Sequence, residues 1–334
     1  MLTFSTDDLR PHERFDYWCE VRARTLFGVT ISLKQEERQH FSGQFSARST
    51  GGAILSQMQA SPYKVSRTAS DISRASSDSL CIYQQTGGAS WFNSHAGGEF
   101  AVRAGEFAIS HSDLPYLTRP ITAHGFDLRV LKIPMARRAS LASPSLNLAP
   151  ALLRDDPRLT LLISASFAAL VADTTKNPEA DCDLAVDHLA QLALLARGSV
   201  LAGSQDSRAA LRFGFLQAAR NVLARDMHHP KLAPEYVAGA LGISVRQLHI
   251  LFEPTGKSFS RTLMAMRLAE AYPLLRSAPT LAVTDVALAC GFDSLSTFYR
   301  VFRTAYGVTP GDVRAAAGDG EDPPCLPLAP PIEQ

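Results

Sequence analysis

The chain has 334 residues, 46% hydrophobic and 19% charged, with a net charge of +1. This is globular composition over a length that exceeds one comfortable core, so two domains are expected. No apolar run approaches the ~20 residues of a bilayer span, MLTFSTDDLRPHERF lacks the apolar core of a signal peptide, and no membrane association is expected. Five scattered cysteines (Cys19, Cys81, Cys182, Cys290, Cys325) form no C-x-x-C pair. They argue against a disulfide framework and a structural zinc site, and they fit a reducing cytoplasm.

Residues 1–134 read as mainly β. A short helix comes first, PHERFDYW, with Phe15 and Trp18 three apart. Then β-type segments alternate with turn signals: TISLKQ, GQFSARS, AILSQMQ, YKVSRTA, SLCIYQQ, ASWFN, FAVRAGEFAISHS and FDLRVLKI. Short strands at this density suggest a barrel or sandwich. VRAGEFAIS reads as two strand fragments joined by a glycine turn.

Residues 135–207 turn helical and read as a connector. LTLLISASFAALVADTT and DLAVDHLAQLALLARGSVLA carry apolar residues at helical spacing. In the second, Leu184, His188, Leu192 and Leu195 share a face, which suits either a core helix or a dimer interface. GSQDSR (203–208) reads as a linker. The tail, 315–334, is rich in Pro, Gly and Ala and is expected to be disordered.

Residues 208–314 hold 13 basic and 7 acidic side chains, net +6, while the rest of the chain carries net −5. A basic module beside an acidic remainder suits a nucleic-acid-binding domain. The same stretch repeats itself. Val237-Ala238 and Val286-Ala287 lie 49 apart, as do Gly242 and Gly291. The pairs Ser244/Ser294 and Phe252/Phe302 lie 50 apart, and Gly256/Gly307 lie 51 apart.

Each copy reads as a helix-turn-helix. An apolar helix ends at a glycine that can take positive φ. Ile243 or Phe292 plugs the interhelical angle, and a serine caps the next helix. At 100° per residue, Val245, Leu248, Leu251 and Phe252 fall on one arc, with Arg246, Gln247, His249 and Ile250 opposite. In the second copy Leu295, Phe298, Val301, Phe302, Ala305 and Tyr306 fall on one arc, with Ser296, Thr297, Arg300, Arg303 and Thr304 opposite. Such outward faces suit a major groove: Arg pairs with guanine, Gln with adenine, and small groups meet the thymine methyl. SRTLMAMRLAEAYPLLRS, between the copies, is helical with Pro273 a candidate kink. About 18 residues span roughly 27 Å, close to one duplex turn of about 34 Å.

Two stretches carry a resemblance to a known family. D-V-A-x-x-x-G-F-x-S-x-S-x-F-x-R-x-F-R-x-x-x-G-x-T-P runs from Asp285 to Pro310. A-x-x-L-G-I-S-x-R-x-L-x-x-L-F-x-x-x-G runs from Ala238 to Gly256. They resemble the AraC/XylS family of bacterial transcription regulators, and MRLAEAYPLLRS resembles that family's linker helix. The resemblance implies an all-α tandem helix-turn-helix domain over 208–314 that binds promoter DNA. It implies base-facing Arg246, His249, Ile250, Leu295, Ser296, Thr297 and Arg300, to which the helical arc adds Gln247. Phosphate contacts are expected from Ser244, Lys257, Arg261, Ser294 and Arg303. Glu253-Pro254 and Ile250 depart from the family pattern, where basic residues are usual.

FSTDDLRPHERFDYW and FAVRAGEFAISHSDLPY resemble the cupin-like sensor domain of a subgroup of that family. This implies a β-barrel over 1–134 that binds a small effector, helices that dimerise, and an activator that works with RNA polymerase. An aromatic lining of Tyr83, Trp91, Phe107, Tyr116 and Phe126, with Arg103 or His111 as the polar handle, would suit an aromatic or short carboxylate effector.

Enzymatic readings fare worse. The cupin metal motif begins H-x-H, and the position two before His95 is Asn93, leaving His95, Glu99 and His111 as an incomplete set. Ser61-Pro62-Tyr63-Lys64 matches S-x-x-K but lacks companion motifs. DNA-repair proteins that share the helix-turn-helix pair need a cysteine cluster absent here. Cys290 reads as a packed thiol, redox-active only if exposed with a low pKa. No catalytic function, cofactor or metal is expected.

Overall fold

The computed structural model describes residues 2–138, 148–153, 156–172, 179–277 and 280–318. They form two compact units, divided at Gly214/Phe215.

In the N-terminal unit, β1 (Leu2–Ser5) leads into α1 (Pro11–Trp18), the helix expected from PHERFDYW. Proline at its first position costs nothing, because that N–H has no helical acceptor. Phe15 and Trp18 are both buried. The chain continues in a π-helical segment, Cys19–Phe27. Then come β2 (Thr30–Ser32), β3 (Gly43–Thr50), β4 (Ala53–Ala60), β5 (Lys64–Arg67) and α2 (Ala69–Arg74). β6 (Ser79–Gln85), β7 (Ala89–Ser94), β8 (Gly98–Arg103), β9 (Phe107–His111), β10 (Tyr116–Pro120), β11 (Phe126–Pro134) and β12 (Ala151–Leu152) complete the strands.

They build two antiparallel sheets, ordered β1-β3-β4-β11-β6-β9-β12 and β2-β5-β10-β7-β8. Period-two burial decides which side chains meet. Phe45, Ala47, Met58, Ala60, Leu128 and Val130 point inward, in one cluster with Trp18, Phe41, Tyr63 and Phe126. In β11 and β4, Leu128 pairs with Met58, so the register brings two inward residues side by side.

Helices α3 (Pro157–Ala172), α4 (Glu179–Arg197) and α5 (Gln205–Asp226) follow. Phe107 meets Phe167 of α3 at 5.9 Å, and α4 packs on β3 and β6. Arg48 of β3 donates to the carbonyls of Leu170 and Val171 at the end of α3. Arg138 donates to the Gly51 carbonyl at 2.5 Å and ion-pairs with Asp183 and Asp187 of α4.

Several sequence expectations need correction. The glycine turn in VRAGEFAIS exists, with Gly105 at φ +87°, but β8 and β9 lie in different sheets. The turn therefore crosses between layers. GSQDSR is a helix start as well as a connection: the Ser204 hydroxyl accepts the Ser207 N–H at 3.1 Å, and Gln205 onward is α5. The expected face of α4 is not a single stripe. Val186, Leu189, Ala190, Leu192, Ala193, Leu194 and Ala196 are buried all round, as in a core helix, while Leu184 is exposed. His188 lies against Phe213 at 4.9 Å, and burial lowers its pKa. The helix after Thr309 runs to Gly318, so residues 315–318 of the expected tail are helical; 319–334 lie outside the described residues.

In the C-terminal unit, beyond the end of α5, come α6 (Pro234–Leu241), α7 (Val245–Phe252) and α8 (Phe259–Ser277). α9 (Val283–Ala289), α10 (Leu295–Tyr306) and α11 (Pro310–Gly318) follow. α8 continues through Pro273. Leu268, Ala271 and Leu275 of α8 share one core with Val286, Phe292, Phe298, Phe302 and Val313.

Candidate functional site

The sharp turn of the first helix pair is made by Gly242, left-handed at φ 62°. Ser244 then caps α7: its hydroxyl accepts the Gln247 N–H at 3.1 Å, and Gln247 Oε1 accepts the Ser244 N–H at 2.9 Å. This reciprocal capping box satisfies two N–H groups that the helix start would leave open. Leu248, Leu251 and Phe252 are buried, and Phe252 meets Phe259 at 5.9 Å. Arg246, Gln247, His249 and Ile250 are exposed, the side assigned from the helical arc. Gln247 differs from expectation in one respect: its carbonyl is engaged in the cap.

The second pair turns at Gly291, φ +85°. A Cβ there would stand 2.3 Å from the Met227 carbonyl oxygen. That carbonyl accepts the Arg267 Nε–H at 2.8 Å, and Arg267 Nη2 donates to the His229 carbonyl at 2.8 Å. Buried Arg267 thus ties α8 to the segment after α5, and its guanidinium lies over the Phe292 ring. The Ser294 hydroxyl accepts the Thr297 N–H at 3.3 Å and lies 2.9 Å from the Ser296 hydroxyl. Phe298, Phe302 and Ala305 are buried. Leu295, Ser296, Arg300, Arg303 and Thr304 are exposed, and Thr297 is half-buried. Leu295 lies on the apolar arc of the sequence, yet the residue is 41% exposed. Tyr299 is exposed on α10 as well, outside the set expected to face bases. Lys257 and Arg261, at the start of α8, are exposed. Each copy therefore places a capped helix on a packed base with a polar outer side, and α8, of 19 residues or about 28 Å, joins them.

The sensor residues divide differently from expectation. Tyr83 and Tyr116 border the space between the two sheets, with Phe92 beside both and Phe100 stacked on Phe92 at 5.3 Å. Phe126 is buried there against Tyr63, 4.7 Å between rings. The Tyr83 hydroxyl lies 3.0 Å from that of Ser110. Burial raises the pKa of Tyr83 and of Tyr116, so both stay neutral hydrogen-bonding groups. Trp91 alternates with Phe92 and points the other way, under the exposed Arg119 guanidinium. Arg103 is exposed beside Glu106. Phe107 packs on α3. His111 Nε2 meets Asp78 at 3.1 Å, while its Nδ1 accepts the Asp113 N–H. These four do not line the interior.

Comparison with known proteins follows this division. Residues 237–316 match a helix-turn-helix domain family, and residues 63–194 match the AraC-like ligand binding domain. The chain thus carries an AraC-like helix-turn-helix domain and an AraC-like ligand-binding domain. It is a DNA-binding transcription regulator that carries a ligand-binding domain. It is similar to the transcriptional activator NphR of a Rhodococcus species, 25% identical over 93% of this chain and 92% of that one. The transcriptional activator RhrA of Rhizobium meliloti is 38% identical, over 24% of this chain and 26% of its own. The solved AraC-like transcriptional activator CuxR aligns over 82% of this chain and 96% of its own, 21% identical, TM-score 0.47.

The remaining motifs have local roles. The Ser61 hydroxyl accepts the Ser42 N–H at 3.0 Å, and Lys64 is exposed. His95 is exposed between β7 and β8, Glu99 accepts the Asn93 amide at 2.9 Å, and His111 lies in the other sheet. Among the described residues no three His, Cys, Asp or Glu side chains could hold a metal ion. Cys290 is buried, which pushes its thiol up to about 11, the opposite of an activated thiolate.

Two buried arginines within residues 1–134 carry no signal in the sequence. Arg67 donates from Nε to the Ser112 carbonyl at 3.0 Å and from Nη2 to the Ala75 carbonyl at 2.6 Å, with Asp113 at 3.3 Å. Burial alone would raise the Asp113 carboxyl, but the Ser76 and Ser112 hydroxyls and the Asp78 and Ser77 N–H groups outweigh it and hold it near 2. The other is Arg22, 7% exposed.

Proposed function

We propose that the chain is an effector-responsive activator of transcription whose two recognition helices, α7 and α10, enter successive major grooves on one face of promoter DNA. The observation that carries this reading is the duplicated exposed face on two capped helices joined by α8. Arg246, Gln247, His249 and Ile250 would read bases in one groove, and Leu295, Ser296, Thr297 and Arg300 in the next. Lys257, Arg261 and Arg303 would hold phosphates, together with the helix starts at Ser244 and Ser294. The serine hydroxyls are engaged in capping, so at these ends the backbone N–H groups would be the donors.

Residues 1–134 act as the sensor and 135–207 as the connector, with the DNA-binding domain beginning at 208. The chain works as a cytoplasmic homodimer, with exposed Leu184 on α4 a candidate contact. It acts by binding rather than by turnover, without cofactor or metal. The effector shifts promoter occupancy or RNA polymerase recruitment because it binds one state of the protein more tightly than another. Activation is supported by the two relatives named as activators.

In vitro transcription from the chain's own upstream region, with RNA polymerase and a metabolite panel, tests this. Transcript should rise with the protein and rise further with one panel member. A fall in transcript on adding the protein overturns the activator reading.

A further inference from the structure

Among the described residues four arginines are buried: Arg22, Arg67, Arg138 and Arg267. Three have hydrogen-bond partners. Arg67 and Arg267 donate to backbone carbonyls, and Arg67 also faces Asp113. Arg138 reaches the Gly51 carbonyl and two aspartates. Arg22 is the exception: its Nε and Nη1 are buried and have no hydrogen-bond partner. A guanidinium cannot escape by losing its proton. An unpaired charge held out of water is among the most costly groups a fold can bury. A fold that gives partners to its other buried arginines leaves two donors of this one in want of an acceptor.

The surroundings say what kind. Arg22 sits in the π-helical segment after α1, a geometry common at functional sites. Its guanidinium lies 5.3 Å from the Phe27 ring centre and 5.5 Å from that of Tyr63. Burial raises the Tyr116 and Tyr63 phenols while the Arg22 charge pulls both back, so Arg22 lies within electrostatic reach of Tyr116 too. Phe27, Tyr63, Tyr83 and Tyr116 belong to one cluster between the sheets. The Tyr83 and Ser110 hydroxyls add a neutral polar pair. An open pocket of about 540 Å³ reaches Tyr63 from outside, and its rim carries Lys34, Lys64 and Arg119 against Glu37 alone. That excess of positive charge draws anions toward the cluster.

We propose that Arg22 is the anion-recognition residue of the sensor, and that its guanidinium takes the carboxylate of a small aromatic acid whose ring lies against Phe27, Tyr63 and Tyr116. The proposal rests on the effector-binding reading above. It replaces the expected handles Arg103 and His111, which face away. Charged donors on the guanidinium match a carboxylate in geometry and sign. The ring replaces water against the aromatic walls.

The test is isothermal titration of the full chain in a low-anion zwitterionic buffer. Benzoate and phenylacetate are compared with the neutral benzamide and phenylacetamide, on wild type, Arg22→Gln and Arg22→Met. The acids should bind saturably, at least ~10-fold tighter than their amides, and both variants should lose that preference. Unliganded Arg22→Met should melt at or above wild type, because an uncompensated buried charge has gone. Acid binding unchanged in Arg22→Gln overturns the proposal. So does a large fall in the melting temperature of both unliganded variants, which marks Arg22 as structural. Saturable binding of the amides alone removes the anion assignment and leaves the sensor reading standing. No binding of either acid overturns the assignment, and failure of the wider metabolite panel to change transcription removes the sensor reading itself.

Discussion

Gly291→Ala should uncouple the C-terminal unit's stability from that of the sensor. The added Cβ meets two costs. Left-handed backbone, φ +85°, costs a non-glycine residue about 1–2 kcal/mol. The methyl would also stand 2.3 Å from the Met227 carbonyl oxygen and 3.0 Å from Arg267 Nε. That carbonyl cannot withdraw without losing its 2.8 Å bond from Arg267, and a hydrogen bond from a charged group is worth about 1.5–3 kcal/mol. The total is about 2.5–5 kcal/mol, or roughly 12–24 °C in a unit of about a hundred residues. Gly307→Ala is the control. It shares the left-handed backbone at φ +73°, but nothing lies within 4 Å of its Cβ, so about 1–2 kcal/mol is expected. The assay separates the units in one sample. Both tryptophans, Trp18 and Trp91, lie in the N-terminal unit, so their fluorescence reports that unit, while far-UV circular dichroism also follows the C-terminal helices. Gly291→Ala should lower a helical transition and leave the tryptophan transition in place. Equal shifts for the two variants, or a helical transition at the wild-type temperature, would refute the close-approach argument.

Three further outcomes follow. Asp113 has a depressed pKa of about 2, so its contribution is present above the ordinary carboxylate range and is lost as pH falls toward 2. Acid unfolding followed by tryptophan fluorescence should show Asp113→Asn less stable at pH 7 and flatter between about pH 4 and 2; an unchanged pH slope removes this group from the acid response. Lys257→Ala should weaken binding to all DNA sequences alike and reduce the slope of log K against log salt by about 1. An unchanged slope removes Lys257 from the phosphate contacts. Gln247→Glu keeps an acceptor oxygen for the Ser244 N–H, so stability should hold; if base preference by binding selection also stays the same, Gln247 is a cap and not a reader.

The DNA-binding unit was legible because its information is local. A glycine, a plug, a capping serine and a 3.6-residue apolar period lie within about twenty consecutive residues, and the repeat states them twice. Where that reading strained, the cause was also local. Leu295 lies at the edge of the apolar arc, and Gln247 can serve the cap or the groove. The sensor's strands were legible too, from alternation and turn residues. Its interior was not, because inside and outside are decided by sheet pairing. Trp91 and Phe92 are neighbours in one strand and face opposite ways, and β8 and β9 adjoin in sequence but belong to different sheets. Arg22 carried no signal at all. An arginine in CEVRARTLF, one of two there, reads as solvated surface until the fold closes around it.

The central claim is that α7 and α10 read DNA together. Hydroxyl-radical footprinting of the full chain on its own upstream region tests it most directly, with wild type and Arg300→Ala side by side. Wild type should protect two segments on one face of the duplex, centred about 10 base pairs apart. Arg300→Ala should lose protection at one of them and bind the specific site about 1–3 kcal/mol more weakly, while non-specific binding changes little. A single protected segment, or an Arg300→Ala footprint and affinity equal to wild type, would contradict the account.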